Sequence, residues 1–198
     1  MFKRTGGAME KKEVRKLFRS KMKKMGFSVN AGYYFKILKE DYLISMYLDA
    51  CPYGGRYYVE YSVLYLPDAE RMPYEGFCDW DSRFLFTKDP MDDLSNYSIE
   101  SLKVQDKNVN DYFDYEFWDL AHLDRALDEN IERKFAKLYD KNYILNLYRE
   151  DLQQFAMLPE KTIRKLMKRG GFDEDEVWRL KKIWQSGGYW YLNHGNQR

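Results

Sequence analysis

The sequence predicts an α+β protein, in which an antiparallel meander sheet of four to five strands is packed by an N-terminal helix and followed by a helical C-terminal half. Two observations lead to this prediction. Apolar residues recur every three to four positions in the first and last parts of the chain and every second position between them, which are the periods of helices and strands. The strand-like segments form one run and most helix-like segments follow in another, without the βαβ alternation of a doubly wound sheet.

The first element is predicted as an amphipathic helix from Glu10 to Met25. Its apolar residues recur at offsets of three, four and seven positions, and Gly26 directly after it is a favourable C-cap. Residues 1–9 contain a glycine pair and no periodicity. We therefore expect a flexible N-terminal tail, in which either Met1 or Met9 is the start of the protein.

Three strands are predicted next, at Tyr33–Leu38, Tyr42–Ala50 and Tyr57–Tyr65, because side chains of two kinds alternate along the two longer ones. Turns are predicted between them at Glu40–Asp41 and Pro52–Gly55, where turn-forming residues interrupt the alternation. The strands would form an antiparallel meander with one face apolar enough to receive the first helix.

Further strands and the helical half follow. Ser82–Phe86 is predicted as the fourth strand, and Leu102–Gln105 shows a weaker pattern for a fifth. The period then becomes helical, and helices are predicted over about residues 117–186. The last two of them are predicted from Pro159, at a helix start, and from Asp173, at an N-cap.

The length of 198 residues favours a single domain, which we place at residues 10–198. No apolar stretch reaches the roughly 18 residues that a membrane span requires, and no signal-peptide pattern opens the chain. Cys51 and Cys78 are too few for a disulfide framework and are expected to be thiols. We therefore expect a cytoplasmic protein that does not enter the membrane.

The charges are unevenly distributed, although the formal net charge is only +1. Residues 1–66 carry 13 Lys/Arg against 6 Asp/Glu, residues 67–130 carry 6 against 17, and residues 131–198 carry 14 against 9. Basic ends that fold against an acidic middle would produce this pattern without any binding function. A surface of mixed sign is the simplest interpretation.

Nucleic-acid binding stays an alternative because lysine and arginine fill the faces of the first predicted helix that its apolar stripe leaves free. A solvated helix face is the simpler explanation. The last two predicted helices are similar to a helix-turn-helix, but the second begins with the four acids Asp173–Glu176. These acids would repel a phosphate backbone and suit the helix macrodipole instead, which argues against DNA binding there.

No established catalytic or cofactor-binding motif occurs in the sequence. The cysteines and histidines are scattered singly, and neither a G-x-S-x-G elbow nor a phosphate-binding glycine loop is present. Neither His122 nor His194 has an acid at a spacing that suggests a catalytic pair. The sharpest acidic motif is Asp79 and Asp81, because alternate carboxylates on an extended chain point the same way and could bind Mg²⁺ or Mn²⁺. Aspartates of an ordinary turn are the alternative.

Aromatic residues are abundant, with 18 Tyr, 12 Phe and 5 Trp. Tyrosine is enriched where proteins meet each other, and the third strand would present tyrosines on two faces, one of them near solvent. We predict Tyr57, Tyr61 and Tyr65 as a protein interface. The alternative is that these tyrosines cover the margins of the core.

Several of these features occur together in one order: Met25–Phe27 after the first helix, the aromatic strand Tyr33–Lys36, the meander end Val63–Pro67, and Asp114–Tyr115. Over about residues 10–150 this pattern resembles a family of bacterial proteins termed domain of unknown function 4304. Some members of that family are suspected to accompany toxin systems as immunity-type binding proteins. The resemblance therefore implies an interaction role, and it implies no catalytic residue.

The function that the sequence favours is a non-enzymatic protein-binding module that meets one partner through tyrosines of the meander and the acidic segment 67–130, with an immunity-type role as one option. An acidic surface would steer a basic partner to it. The first alternative is a Mg²⁺- or Mn²⁺-dependent transferase or hydrolase that uses Asp79 and Asp81. Nucleic-acid binding through the first helix is the second, and no other cofactor is predicted.

Overall fold

The computed structural model describes residues 9–38, 42–68, 78–97, 108–138, 140 and 142–187. Its first element is helix α1, Lys11–Lys24, as predicted. The backbone amide of Glu10 donates to Glu13 Oε2 at 2.8 Å and closes the first turn. Gly26 follows the last turn at φ +80°, a conformation that glycine adopts without strain.

Met9 belongs to the folded body and not to a flexible tail. Its side chain is buried in the core, and its backbone amide donates to the carbonyl of Tyr115 at 3.2 Å. The predicted tail is therefore one residue too long, and residues 1–8 lie outside the described part of the chain.

The described residues that follow form eight strands: β1 Ser28–Asn30, β2 Tyr33–Leu38, β3 Tyr42–Ala50, β4 Arg56–Tyr65, β5 Trp80–Arg83, β6 Phe86–Thr87, β7 Val109–Asn110 and β8 Phe113–Asp114. Strands β1 to β5 form one antiparallel sheet in sequence order, β8 also pairs with β4, and β6 and β7 form a separate two-stranded ribbon. The predicted meander is confirmed as β2, β3 and β4. The sequence did not predict β1, and the turn predicted at Glu40–Asp41 lies outside the described residues.

The pairing of strands gives the sheet two different faces. In β3 and β4 the paired residues Ile44 and Val63 are both fully buried on the face that packs against α1. Phe18 of α1 meets Tyr34 of β2 edge to face, with ring centroids 5.3 Å apart. The opposite face carries the alternate residues of the same strands, and on it Tyr47 and Glu60, which are opposite each other, are only partly buried.

The predicted fourth strand, Ser82–Phe86, is wrong in its boundaries, because the chain leaves the sheet after Arg83. The reason lies in the side chain of the buried residue Asn130. Asn130 Oδ1 accepts from the backbone amide of Leu85 at 2.9 Å, and Asn130 Nδ2 donates to the carbonyl of Leu85 at 2.7 Å. The amide thus takes the place of a neighbouring strand at this residue. The fifth strand predicted near residues 102–105 lies outside the described residues.

The helical half consists of α2 Leu120–Lys137, α3 Tyr143–Glu150, α4 Leu152–Met157, α5 Glu160–Arg169 and α6 Glu174–Gln185. This confirms the predicted helical region, although the first helix begins three residues later than residue 117. Asp173 caps α6 as predicted, since its carboxylate accepts from the backbone amide of Glu176 at 2.8 Å. Within the described ranges, no helix has the length and apolar character needed to cross a membrane.

Lys21 joins the first helix to the helical half. Its side chain is buried in spite of its charge, and its Nζ lies 2.7 Å from Asp124 Oδ1 and 2.8 Å from Asp128 Oδ1 on α2. Nζ also donates to the carbonyl of Asp124. This basic residue of the first segment therefore neutralises acids of the middle segment, as one interpretation of the charge distribution expects.

We expect the variant Asn130→Ala to be less stable than the wild type by on the order of 2 kcal/mol, because both backbone groups of Leu85 would lose their partner. Urea unfolding followed by circular dichroism would measure this. The control Asn142→Ala removes an exposed asparagine whose side chain does not cap its helix, so its midpoint should be unchanged. Equal midpoints for the two variants would contradict the role given to Asn130.

Candidate functional site

Asp79 has a structural environment and not that of an exposed metal ligand. Its side chain is buried, and its Oδ2 accepts from the backbone amide of Tyr65 at 2.8 Å. The same oxygen lies 2.7 Å from Nη2 of Arg169, at the end of α5. The guanidinium of Arg169 also lies over the ring of Tyr65, at 4.8 Å from its centroid. This ion pair connects the helical half to the sheet.

The Asp79 carboxylate is already used within the fold, which argues against a metal there, and the site at Asp79 and Asp81 stays a prediction. The backbone of Asp81 continues β5 and pairs with Ser62. In the part of the chain that the structure describes, no group of three or more His, Cys, Asp or Glu residues is placed to hold a metal ion.

The interface predicted at Tyr57, Tyr61 and Tyr65 is contradicted at Tyr57 and Tyr61, which are buried. Tyr57 and Tyr61 are only 1% and 4% exposed, because they lie on the apolar face of β4. Tyr57 stacks on Phe113, with centroids 5.8 Å apart, and Tyr61 packs against Phe84 at 5.7 Å. Tyr65 is half-buried on the same face. These tyrosines belong to the core and its margin, which was the alternative interpretation.

Other aromatic residues occupy the opposite, polar face of the sheet, and the sequence analysis did not select them. Tyr33 of β2 and Tyr47 of β3 are stacked, with centroids 4.8 Å apart and an angle of 25° between the rings. Tyr58 of β4 meets Tyr112 at 6.0 Å, and the guanidinium of Arg56 lies 4.4 Å from the centroid of the Tyr112 ring. All four tyrosines are partly exposed. We call this surface the polar face; it consists of the outward residues of β2, β3, β4 and β5 together with Asp111 and Tyr112.

A pocket of about 180 Å³ opens on the polar face. It is lined by Tyr33, Ser45, Tyr47, Glu60, Ser62, Ser82 and Arg83. These residues come from four strands, β2 to β5, so that only the folded sheet brings them together.

The serines Ser45 and Ser62 face each other across β3 and β4 in this pocket. They are 2% and 8% exposed, which is unusual burial for a polar side chain. Their backbone groups serve the strand ladder, and the two hydroxyls provide hydrogen-bonding capacity in the pocket.

Arg83 lies at the rim of the pocket between two carboxylates. Its Nε donates to Glu60 Oε1 at 3.0 Å, and its Nη1 donates to Asp111 Oδ2 at 2.8 Å. Its guanidinium lies 4.3 Å from the centroid of the Tyr58 ring. Partial burial opposes the charge of Arg83, but the hydrogen bonds and charges of Asp111 and Glu60 outweigh it and raise its pKa.

One histidine does have an acidic partner, contrary to the sequence analysis. Asp119 Oδ2 lies 2.7 Å from His122 Nδ1, and Asp119 Oδ1 accepts from the backbone amide of His122 at 2.9 Å. These interactions with His122 lower the pKa of the Asp119 carboxyl, the backbone hydrogen bond most strongly. The pair is an N-cap of α2, three residues apart, and capping-residue spacing is the signal that could have predicted it.

The basic side chains of α1 are divided by their environment. Seven of them are exposed: Lys11, Lys12, Arg15, Lys16, Arg19, Lys23 and Lys24. The eighth, Lys21, is the buried partner of Asp124 and Asp128 and is not available to a phosphate.

Comparisons with known proteins add no further assignment. No family model matches the sequence, no curated protein is significantly similar to it, and no solved structure is significantly similar to its fold. The resemblance to domain of unknown function 4304 stays a prediction.

We expect Asp79→Ala to reduce stability by on the order of 3 kcal/mol, because it removes a buried carboxylate that lies 2.7 Å from the guanidinium of Arg169. In a double-mutant cycle, the loss of stability in the variant Asp79→Ala/Arg169→Met should be smaller than the sum of the losses in the two single variants. Chemical unfolding would measure this, with the exposed acid Glu132→Ala as control. A Mn²⁺-dependent rise in the melting temperature of the wild type alone would instead restore the metal hypothesis.

Proposed function

We propose that this chain is a non-enzymatic protein-binding module and that its partner docks on the polar face of the sheet. The observation that carries the proposal is the clustering there of partly exposed tyrosines with Arg56 and Arg83. Tyrosine and arginine are the residue types enriched at protein interfaces and at their energetic hot spots. The tyrosines predicted from the sequence lie on the wrong face, but the class of function proposed from them is retained.

The geometry of the polar face favours binding at a low entropic cost. Tyr33 and Tyr47 hold each other by stacking, and Tyr58 is held between Tyr112 and Arg83. Side chains that are already ordered in the free protein lose little conformational freedom when a partner covers them.

The charge of this face favours a basic partner. Among the described side chains, three carboxylates belong to it, from Asp49, Glu60 and Asp111, against the two guanidinium groups of Arg56 and Arg83. The excess of negative charge would steer a basic protein towards the face and accelerate association at low salt. A basic toxin or nuclease met by an immunity-type protein is one such partner, and we propose this encounter in the cytoplasm.

Nucleic-acid binding through α1 is the second candidate, and the exposed basic side chains of that helix favour it. The two functions use opposite faces of the sheet, because α1 packs on the apolar face. They also differ in their dependence on salt. Binding of nucleic acid would weaken linearly in log affinity against log salt and would respond to charge reversal on α1.

The protein-binding proposal predicts the selective loss of one partner when the polar face is changed. Immobilised wild type should retain a basic protein from native lysate at low salt and release it at high salt. The variant Tyr58→Ala should weaken its binding by about 30-fold, the effect of losing a hot-spot residue worth about 2 kcal/mol. Binding would be quantified with the purified partner by calorimetry.

Tyr53→Ala is the matched control, because this tyrosine is 96% exposed at the tip of the β3–β4 turn and contributes nothing to the polar face. Its binding should equal that of the wild type, and both variants should melt as cooperatively as the wild type. Retention of the same proteins by all three forms, or of none by the wild type, would refute the proposal.

A further inference from the structure

We infer that the pocket on the polar face is the anchor site for one arginine side chain of a protein partner. This inference rests on the proposed function and adds to it the chemical group that is recognised. It follows from the size, the charge, the ring geometry and the hydrogen-bonding capacity of the pocket.

The size of the pocket limits what can enter it. Sites for small molecules and cofactors usually measure about 300–1,000 Å³. The pocket between Tyr33, Tyr47, Ser45 and Ser62 measures about 180 Å³, which is too small for a whole cofactor and suits the end of one long side chain. The partner is therefore held by an inserted side chain, in the manner of a hot-spot residue.

The charge of the rim selects a cation. Arg83 has a carboxylate on each side, Glu60 and Asp111, so the three groups together carry one excess negative charge. The donors of Arg83 that face these acids are already occupied, with a second nitrogen, Nη2, also 3.0 Å from Glu60 Oε1. An anion such as phosphate would have to compete with both carboxylates for Arg83. A cation would instead bind to the carboxylates together with Arg83.

The aromatic rings select a flat cation. Tyr33 and Tyr47 present nearly parallel rings at one side of the pocket. A guanidinium group stacks on such a ring. It is also more weakly hydrated than an ammonium group, so it loses less hydration free energy when it leaves water. The fold already contains this arrangement once on the same face, where the guanidinium of Arg83 lies over the ring of Tyr58.

The two buried serines supply the remaining hydrogen bonds. The hydroxyls of Ser45 and Ser62 line the pocket side by side and can each accept a hydrogen bond. A guanidinium has five N–H donors in one plane, so that it can reach Glu60 and a hydroxyl at the same time. An ammonium group lacks this planar arrangement, and we therefore expect lysine to bind more weakly than arginine.

The test uses N-acetyl-arginine amide as the probe and amide chemical shifts of the full-length protein as the readout. We expect saturable shifts, with a millimolar Kd, at Ser45, Tyr47, Glu60 and Ser62. N-acetyl-citrulline amide has nearly the same shape without the charge and should bind at least tenfold more weakly. The affinity of N-acetyl-lysine amide should lie between the affinities of the arginine and citrulline probes.

Two variants locate the binding in the pocket. Glu60→Gln and Tyr47→Leu should each weaken the arginine probe at least fivefold, while Tyr53→Leu on the exposed turn should leave its Kd unchanged. Both pocket residues are partly exposed, and the amide spectrum of each variant shows directly whether it is folded. Equal shifts with the citrulline probe, shifts scattered over other acidic surfaces, or no saturable shifts at all would overturn the inference.

The test of the arginine pocket and the test of the proposed function can fail independently of each other. Binding of the arginine probe without a captured protein would support the pocket as an arginine site and contradict the proposed partner. A captured protein that depends on Tyr58, together with no binding of the arginine probe, would support the module and overturn the arginine pocket.

Discussion

The pairing of β3 with β4 is the interaction on which the rest of the structure depends. Nine consecutive residue pairs join these strands, from Tyr42 opposite Tyr65 to Ala50 opposite Tyr57. Because side chains alternate between faces, a slip of one residue would exchange the core residues of either strand with those of the polar face. The same register that buries Ile44 against α1 also places Ser45 opposite Ser62.

The elements of the sheet could be predicted from the sequence because their period is local, but the assignment of its faces could not. Tyrosines occur on both faces of β4, so Tyr57 and Tyr58 are equivalent by residue type. Burial separates them, since packing from α1 and from Phe113 reaches only one face. The predicted boundary of the fourth strand was wrong for a similar reason. At Leu85 the side chain of Asn130, which is 45 residues later in the sequence, takes the place of a neighbouring strand.

The candidate site could not be predicted because its parts have no common motif. The pocket takes single residues from four strands, and Ser45 or Ser62 alone has no spacing that suggests a site. The charge distribution was more informative. Lys21 pairs with Asp124 and Asp128, so that a basic end of the chain does meet the acidic middle. On the polar face Glu60 and Asp111 share the single cation Arg83, so an excess of negative charge remains there that can serve recognition.

The ion pair between Asp79 and Arg169 has a consequence for biosynthesis. The two residues are 90 positions apart, so a ribosome that has completed the sheet has not yet released the helix that neutralises Asp79. Until then a carboxylate at the sheet edge must stay hydrated, which opposes burial of β5. Folding on the ribosome is therefore expected to leave Asp79 and the adjoining end of β5 exposed to water until α5 emerges.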